Sequence, residues 1–182
     1  YGPHGDEALD ESSSLGSDFL AAVCREWEAA LRPAVESDTR VSIVRIGVVL
    51  GPNGGALQKM LLPFRLGIGG PVGTGRQVVS WIHLDDLVAM IVWLLENGEQ
   101  SGVFNATAPQ PVTMNQWASS LGRTLHRPAL LPVPGFVLKL ALGEVADVLL
   151  TGQRVLPRRA SEAGFEFRYP EMSAALEEIL AS

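Results

Sequence analysis

Cysteine is almost absent: Cys24 stands alone in 182 residues, so the chain forms no intramolecular disulfide and builds no cysteine-cluster metal site. Histidine is nearly as sparse. His4, His83 and His126 are scattered without metal-ligand spacing, and neither H-E-x-x-H nor C-x-x-C occurs, so no metal is expected. No stretch approaches 18 uncharged apolar residues, which leaves no segment that reads as a transmembrane helix. A basic stripe is also lacking, and the net charge is −6. That balance argues against a nucleic-acid partner. The opening "YGPHGDEALDESSS" is acidic and polar, the opposite of a signal peptide. With one cysteine, a reducing, cytoplasmic compartment is expected.

What is present suffices for one domain with a core: 47% of residues are hydrophobic and 19% charged. Residues 1–17 read as a loop. Ser17 or Asp18 is expected to cap a helix to about Arg32, with Leu20, Val23, Cys24, Trp27 and Leu31 on its buried face. Segment 41–50 reads as one strand covered on both faces. A helix should follow from Gly55 to about Leu66, then a strand around 78–82. Asp85 or Asp86 should cap the next helix, with Leu87, Ile91, Leu94 and Leu95 inward and Asn97-Gly98 stopping it. "GVFNATA" reads as a strand, and Thr113 opens a helix to about Leu125. "ALLPVP" is an extended piece leading to an apolar helix near 134–142, and a last helix covers about 171–181. Strands alternate with helices, which indicates an α/β domain with a largely parallel sheet.

Several stretches carry chemical information. "RIGVVLGPNGG" (45–55) runs from a strand through a glycine turn into a helix, the context of an anion site at a helix N-terminus. It lacks G-x-G-x-x-G and a Walker lysine, so a tight turn with positive-φ glycines is the preferred reading. "GIGGPVGTGR" (67–76) reads as a substrate lid or a plain hairpin-like loop. In "VSWIHLDDL" (79–87), His83 is either a buried, hydrogen-bonded histidine or a catalytic one. Asp85 and Asp86 are adjacent on a helix and do not face each other as a catalytic pair. Arg45 in an apolar strand must have a partner, and a structural ion pair is preferred to a ligand contact. Arg154, Arg158 and Arg159 form a basic run whose default is a solvated face. No G-x-S-x-G elbow exists, and Cys24 on an apolar helix face is expected to be an inert core residue.

Taken together, these stretches resemble an extended short-chain dehydrogenase/reductase. "RIGVVLGPNGG" is similar to the strand that members write R-x-x-N-V-Y-G-P, and "GRQVVSWIHLDDLVAMI" to their G-x-x-x-x-F-V-H-V-D-D-L-A. "GVFNATAPQPVTMNQWASSLGRTLHRP" resembles their closing strand and helix. More narrowly, "DFLAAVCREWEAA", "MLLPFRLGIGGPVGTGRQ" and "GQRVLPRRASEAGFEF" resemble the atypical "epimerase family protein" subgroup, which ends in a small domain of unknown function. The resemblance implies the C-terminal portion of a Rossmann-like doubly wound sheet, over 1–125, with a small α/β C-terminal substrate lobe over 126–182. The G-x-x-G-x-x-G loop that holds pyrophosphate in the family has no counterpart in these residues, so the sequence is expected to be part of a longer chain.

A second departure concerns chemistry. Family members use Tyr-x-x-x-Lys, whose tyrosine is the acid/base. Here Tyr1 and Tyr169, and Lys59 and Lys139, never make that pair, and Leu20 and Cys24 take its places when aligned on Glu28. The resemblance implies NADP or NAD as cofactor, NADP ahead, with Gly47, Val48 and Val49 walling the nicotinamide and Arg45 beside it. It makes Tyr1 the nearest phenol and a candidate acid, with Arg45 and His83 as alternatives. Lys59, Arg65, Arg76 and Trp81 would face a small-molecule substrate, and a homodimer is allowed. The competing expectation is a dinucleotide-sensing or scaffold protein without turnover.

Overall fold

The computed structural model describes every residue except 3, 38, 134, 136–149 and 182. The expected helix near 134–142 falls almost entirely outside the described residues. Strand β1 (Ala8–Leu9) precedes α1 (Phe19–Ala29), α2 (Arg32–Glu36), β2 (Ser42–Ile46), β3 (Val48–Leu50) and α3 (Gly55–Arg65). Then come β4 (Val78–Val79), β5 (Trp81–His83), α4 (Leu84–Glu96), β6 (Gly102–Ala106), β7 (Val112–Thr113) and α5 (Met114–Thr124). The chain closes with β8 (Arg154–Val155), α6 (Arg158–Glu162) and α7 (Met172–Ala181). The pairs β2–β6, β3–β5 and β1–β8 are parallel, and β4–β7 is antiparallel.

The run 41–50 is two strands rather than one. At Gly47 the chain changes neighbours: its N–H donates to Ala106 O at 3.1 Å, and the next N–H, of Val48, donates to Ser80 O at 2.9 Å. A Cβ at Gly47 would stand 2.8 Å from Ser80 O and 3.0 Å from Thr107 Cγ2, so only glycine lets the strand pass from β6 to β5 there. Cover on both faces is incomplete: Ile46 is 53% exposed. Trp81 and Ile82 alternate on β5 and lie in different cores, as successive strand residues should. One core joins Trp81 to Leu57, Phe64, Trp117 and Leu121, and the other joins Ile82 to Leu87, Met90 and Phe104. Helices on both faces of the central strands, with three of the four strand pairings among the described residues parallel, give the α/β arrangement that the alternation predicted.

The last elements are built into both cores. Met172, Ala175, Leu176 and Ile179 of α7 belong to the first, where the helix lies along α5, and Ala160 and Phe165 belong to the second.

Two helices differ from expectation. Asp18 does cap α1, accepting from Ala21 N at 3.0 Å, but the helix stops before Arg32 because Pro33 opens α2. Proline has no N–H to continue the ladder and suits a first turn. The face of α1 expected inward is largely open, with Trp27 73% exposed and Cys24 exposed rather than in the core. On α4 the cap is His83, whose Nδ1 accepts from Asp85 N at 3.1 Å. Its inward residues are Asp86, Leu87, Met90 and Leu94, while Ile91 and Leu95 face outward. By contrast, α5 starts as expected, on a capping box of Thr113 and Gln116. Among the described residues no helix is long and apolar enough to cross a membrane.

Candidate functional site

A cavity of about 600 Å3 lies between α1 and the β2–β3 strands. Ala21, Cys24, Trp27 and Glu28 of α1 form one wall; Arg45, Gly47 and Val48 form another. Ser80, Gly152, Gln153 and Val155 close a third side. That side is tied down by the Ser80 hydroxyl, which donates to Gln153 O at 2.7 Å and accepts from Val155 N at 2.8 Å.

The polar centre of the cavity is Arg45. Its Nε donates to Glu28 Oε1 and its Nη2 to Glu28 Oε2, both at 2.7 Å. This two-pronged pair is the strong form of the interaction. The guanidinium also stands 4.9 Å from the centroid of the Tyr1 ring, within cation–π reach. Hydrogen bonding to Arg45 holds the Glu28 carboxyl below its ordinary range, and Glu28 in turn raises Arg45 further above its own. Arg45 Nη1 is buried and has no acceptor among the described residues. One donor is therefore left over.

Tyr1 Oη donates to Asn105 Oδ1 at 2.8 Å. Burial pushes the phenol above its usual value, opposed by Arg45 and Asn105, so at neutral pH it holds its proton. Asn105 is itself fully buried and anchored, its N–H donating to Glu11 Oε1 and its Nδ2 to Leu156 O.

Four of the residues singled out in the sequence meet here: Tyr1, Arg45, Gly47 and Val48. The others lie elsewhere. Val49 alternates to the far face of β3 and packs on the second core. Trp81, expected toward substrate, is fully buried in the first core with Nε1 donating to Gln110 O at 3.0 Å. Lys59, Arg65 and Arg76 are exposed on α3 and the following loop and line no part of the cavity. His83 is 2% exposed at the end of β5 and does not line it either. Because its Nδ1 accepts from Asp85 N, its proton sits on Nε2, 3.0 Å from Glu178 Oε2. Its ring lies against Tyr169, with centroids 4.0 Å apart.

Beyond aligning the family helix, Glu28 carries no functional signal in the sequence, and Asn105 and Ser80 have no assigned role there. A signal existed for one of them. An asparagine in the apolar strand "GVFNATA" must find partners once buried.

Comparisons with known proteins agree with this architecture. The profile of the NAD dependent epimerase/dehydratase family matches residues 23–107, and that of a domain of unknown function, DUF1731, matches residues 133–179. The chain is 51% identical over 180 residues to the Arabidopsis thaliana protein "Epimerase family protein SDR39U1 homolog, chloroplastic", covering 99% of this chain and 52% of that one. It is 46% identical over 183 residues to the Mus musculus "Epimerase family protein SDR39U1", covering 100% and 62%. The crystal structure of the human epimerase family protein SDR39U1 (isoform2) with NADPH superposes with a TM-score of 0.94 at 42% identity, again covering 100% of this chain and 62% of that one. The chain thus spans about half to three fifths of the length of these relatives.

Proposed function

Since the chain belongs to the NAD dependent epimerase/dehydratase family, in the branch where that region runs on into DUF1731, we propose that it forms the nicotinamide side of an NADP(H)-preferring oxidoreductase or epimerase. The carrying observation is the cavity itself, walled by Gly47 and Val48 and flanked by Tyr1 and Arg45. The likeness to a structure holding NADPH supports the choice of NADP over NAD.

The residues fit one end of such a cofactor. A glycine and a valine let a flat ring approach the strand, and the unfilled Nη1 of Arg45 offers a donor to a carboxamide or ribose oxygen. They do not provide for the pyrophosphate: among the described residues Arg45 is the one cationic side chain in the lining, and Glu28 already pairs it. When bound, the nicotinamide supplies hydride transfer. The chain's own contribution is to hold a proton on Tyr1 Oη, orient that phenol through Asn105, and close the site with the 152–155 segment. Buried under Glu178 and Tyr169, His83 serves as the cap of α4 in this proposal. The substrate is an alcohol or carbonyl compound, with nucleotide sugars the first to try. A cytoplasmic setting rests on the single cysteine alone, and the plant relative is named chloroplastic.

The test is equilibrium binding of NADPH and NADH to a polypeptide of the relatives' full length, followed by nicotinamide fluorescence. Binding of NADPH well below millimolar, tighter than NADH, is expected. Failure of both to bind below about 1 mM, roughly −4 kcal/mol, removes the proposal.

A second reading is favoured by one observation: the sequence contains no Tyr-x-x-x-Lys, the pair that serves as proton relay in the family. A dinucleotide sensor or scaffold would bind NADPH without oxidising it. Assays with sugar nucleotides, aldehydes and quinones separate the two. Under the enzymatic reading, Tyr1→Phe lowers turnover at least tenfold and leaves NADPH affinity within about twofold.

A further inference from the structure

A second cleft, of about 490 Å3, shares no lining residue with the cavity of Tyr1 and Arg45. One wall is the face of α5 that carries Asn115, Ser119 and Arg123, spaced four apart and so stacked on one side of the helix. His126 and Arg127 follow at the helix end, and Pro71, Ala129 and Leu130 form the apolar rim. Among the described residues, two guanidiniums and an imidazole line this cleft and no carboxylate does, on a chain whose net charge is −6.

Basic residues at a helix C-terminus ordinarily answer its free carbonyls and its dipole. Here the backbone already does so. The N–H groups of Leu125, His126 and Arg127 donate to Leu121 O, Arg123 O and Gly122 O at 3.0, 3.0 and 2.9 Å, the closure of a Schellman turn. Arg123 Nη2 donates to Ser120 Oγ at 3.2 Å, which holds its guanidinium in place. No hydrogen bond or ion pair engages the side chains of His126 and Arg127 among the described residues. His126 holds a φ of 53°, a strained position where glycine would close the turn more easily. The turn thus keeps an imidazole at the cleft against its own backbone preference.

The walls are set by close backbone approaches. A Cβ on Gly122 would stand 2.8 Å from both Arg127 O and Ala129 Cβ, one on Gly75 would overlap the Asn115 amide, and one on Gly70 the Leu131 carbonyl. Asn115 N donates to Gly75 O at 2.8 Å and Val133 N to Pro71 O at 2.9 Å. The "GIGGPVGTGR" loop is therefore fastened to α5 and to the 127–133 segment, and the cleft between them is preformed.

We propose that this cleft is a second ligand site that takes a small phosphorylated molecule, with the phosphate between Arg123 and Arg127 and the apolar part against Pro71, Ala129 and Leu130. Planar guanidiniums match phosphate oxygens with paired hydrogen bonds, and the Asn115 amide and Ser119 hydroxyl add donors. A doubly charged phosphate monoester balances two guanidiniums, whereas a carboxylate balances one. The volume lies within the range of small-molecule sites, about 300–1,000 Å3. This cleft is separate from the cavity of Tyr1 and Arg45, so ligands of the two should bind independently.

Calorimetric titration of the protein with phenyl phosphate, inorganic phosphate and benzoate, at constant ionic strength, is the experiment. One saturable site for phenyl phosphate is expected, at least tenfold tighter than for either other probe and unchanged by saturating NADPH. R123Q/R127Q should weaken it at least tenfold, and S119E, which places a carboxylate in the cleft, should do the same. Both substitutions are at exposed positions, and the thermal midpoint should stay in place. The proposal is overturned by any of three results: no saturation below about 10 mM, an affinity unmoved in the two variants, or displacement by NADPH.

Discussion

A guanidinium within a strand of isoleucine and valine is tolerated at Arg45 because Glu28 meets it with two 2.7 Å hydrogen bonds. Glu28→Gln keeps the shape but removes the charge, leaving a partly buried cation without its counter-ion. A loss of about 1–3 kcal/mol is expected, read as a lower urea midpoint at unchanged slope. A change under about 0.5 kcal/mol, the size of an ordinary surface substitution, would mean that water meets Arg45 instead. The same pair gives acid sensitivity a sign. Glu28 titrates below its ordinary value when folded, so its contribution is present above that value and lost as pH falls through the folded one. Asp10 behaves alike with a defined window. The Ser12 hydroxyl, the Ser12 N–H and then Arg158 lower it from 3.8 to about 2. The urea midpoint should therefore fall between about pH 3.8 and about pH 2, and Asp10→Asn should remove part of that slope. Because Asp10 is at the surface, added salt should shrink the Asp10 part. A slope identical in Asp10→Asn would contradict this account.

At the scale of elements, α4 decides how the C-terminal segment is held. Asp86 is 2% exposed and accepts the N–H groups of Arg168 and Tyr169 at 2.8 and 2.9 Å, while neighbouring Asp85 is exposed and only 3.9 Å from Arg168. Asp86→Ala should cost about 2–4 kcal/mol, since two buried donors lose a charged acceptor. Asp85→Ala should stay within about 0.5 kcal/mol. Equal effects in denaturant unfolding would refute this division of labour. The contrast also shows what a sequence conveys. Strand–helix alternation, the Asp18 cap and the Thr113 capping box were legible because each depends on residues within a turn of one another. The role of Asp86 was not, because its partners lie 82 and 83 residues away. Periodicity likewise marked an apolar stripe on α1 but could not say what covers it, and Cys24 and Trp27 proved exposed. On α4, Met90 rather than Ile91 turns inward because Asp86 and Leu87 fix which side meets the sheet. In the site, Arg45 announced its need for a partner by standing in an apolar strand, yet nothing local named Glu28. Trp81 and His83 drew functional expectations through the family resemblance; in the structure β-strand alternation sends the first into the core, and the second caps α4.

Across the whole molecule, the two matched regions, 23–107 and 133–179, are interlocked rather than adjoining. β8 pairs with β1 near the chain's start, and Leu156 O accepts from Asn105 of β6. Arg159 reaches back to Val103 O and Ser101 O, both at 2.7 Å, with its guanidinium 4.3 Å from the Phe104 ring centroid. Glu11 accepts from the N–H groups of both Asn105 and Arg159, so one carboxylate joins the opening loop, β6 and α6. With α6 and α7 also inside the two cores, removing the C-terminal segment would expose apolar surface on both faces of the sheet. Neither region should then hold its structure when the other opens, and unfolding should be a single cooperative transition. Two reporters separate the regions. Tryptophans occur only at 27, 81, 93 and 117, none of them within 133–179, so indole fluorescence reports on the part before the C-terminal region, while amide exchange in α7 follows the C-terminal region. Their urea midpoints should coincide, and exchange in α7 should share the urea dependence of β6. An α7 that exchanges through a smaller opening would reveal a C-terminal lobe docked on a sheet able to stand without it. The closing segment 152–155 would then act as a movable wall of the cavity of Tyr1 and Arg45, and a ligand held there, NADPH under the proposed function, would slow exchange in α7 more than in β6. In the interlocked molecule, such a ligand should instead raise protection in both by the same increment, because it stabilises the one folded state they share.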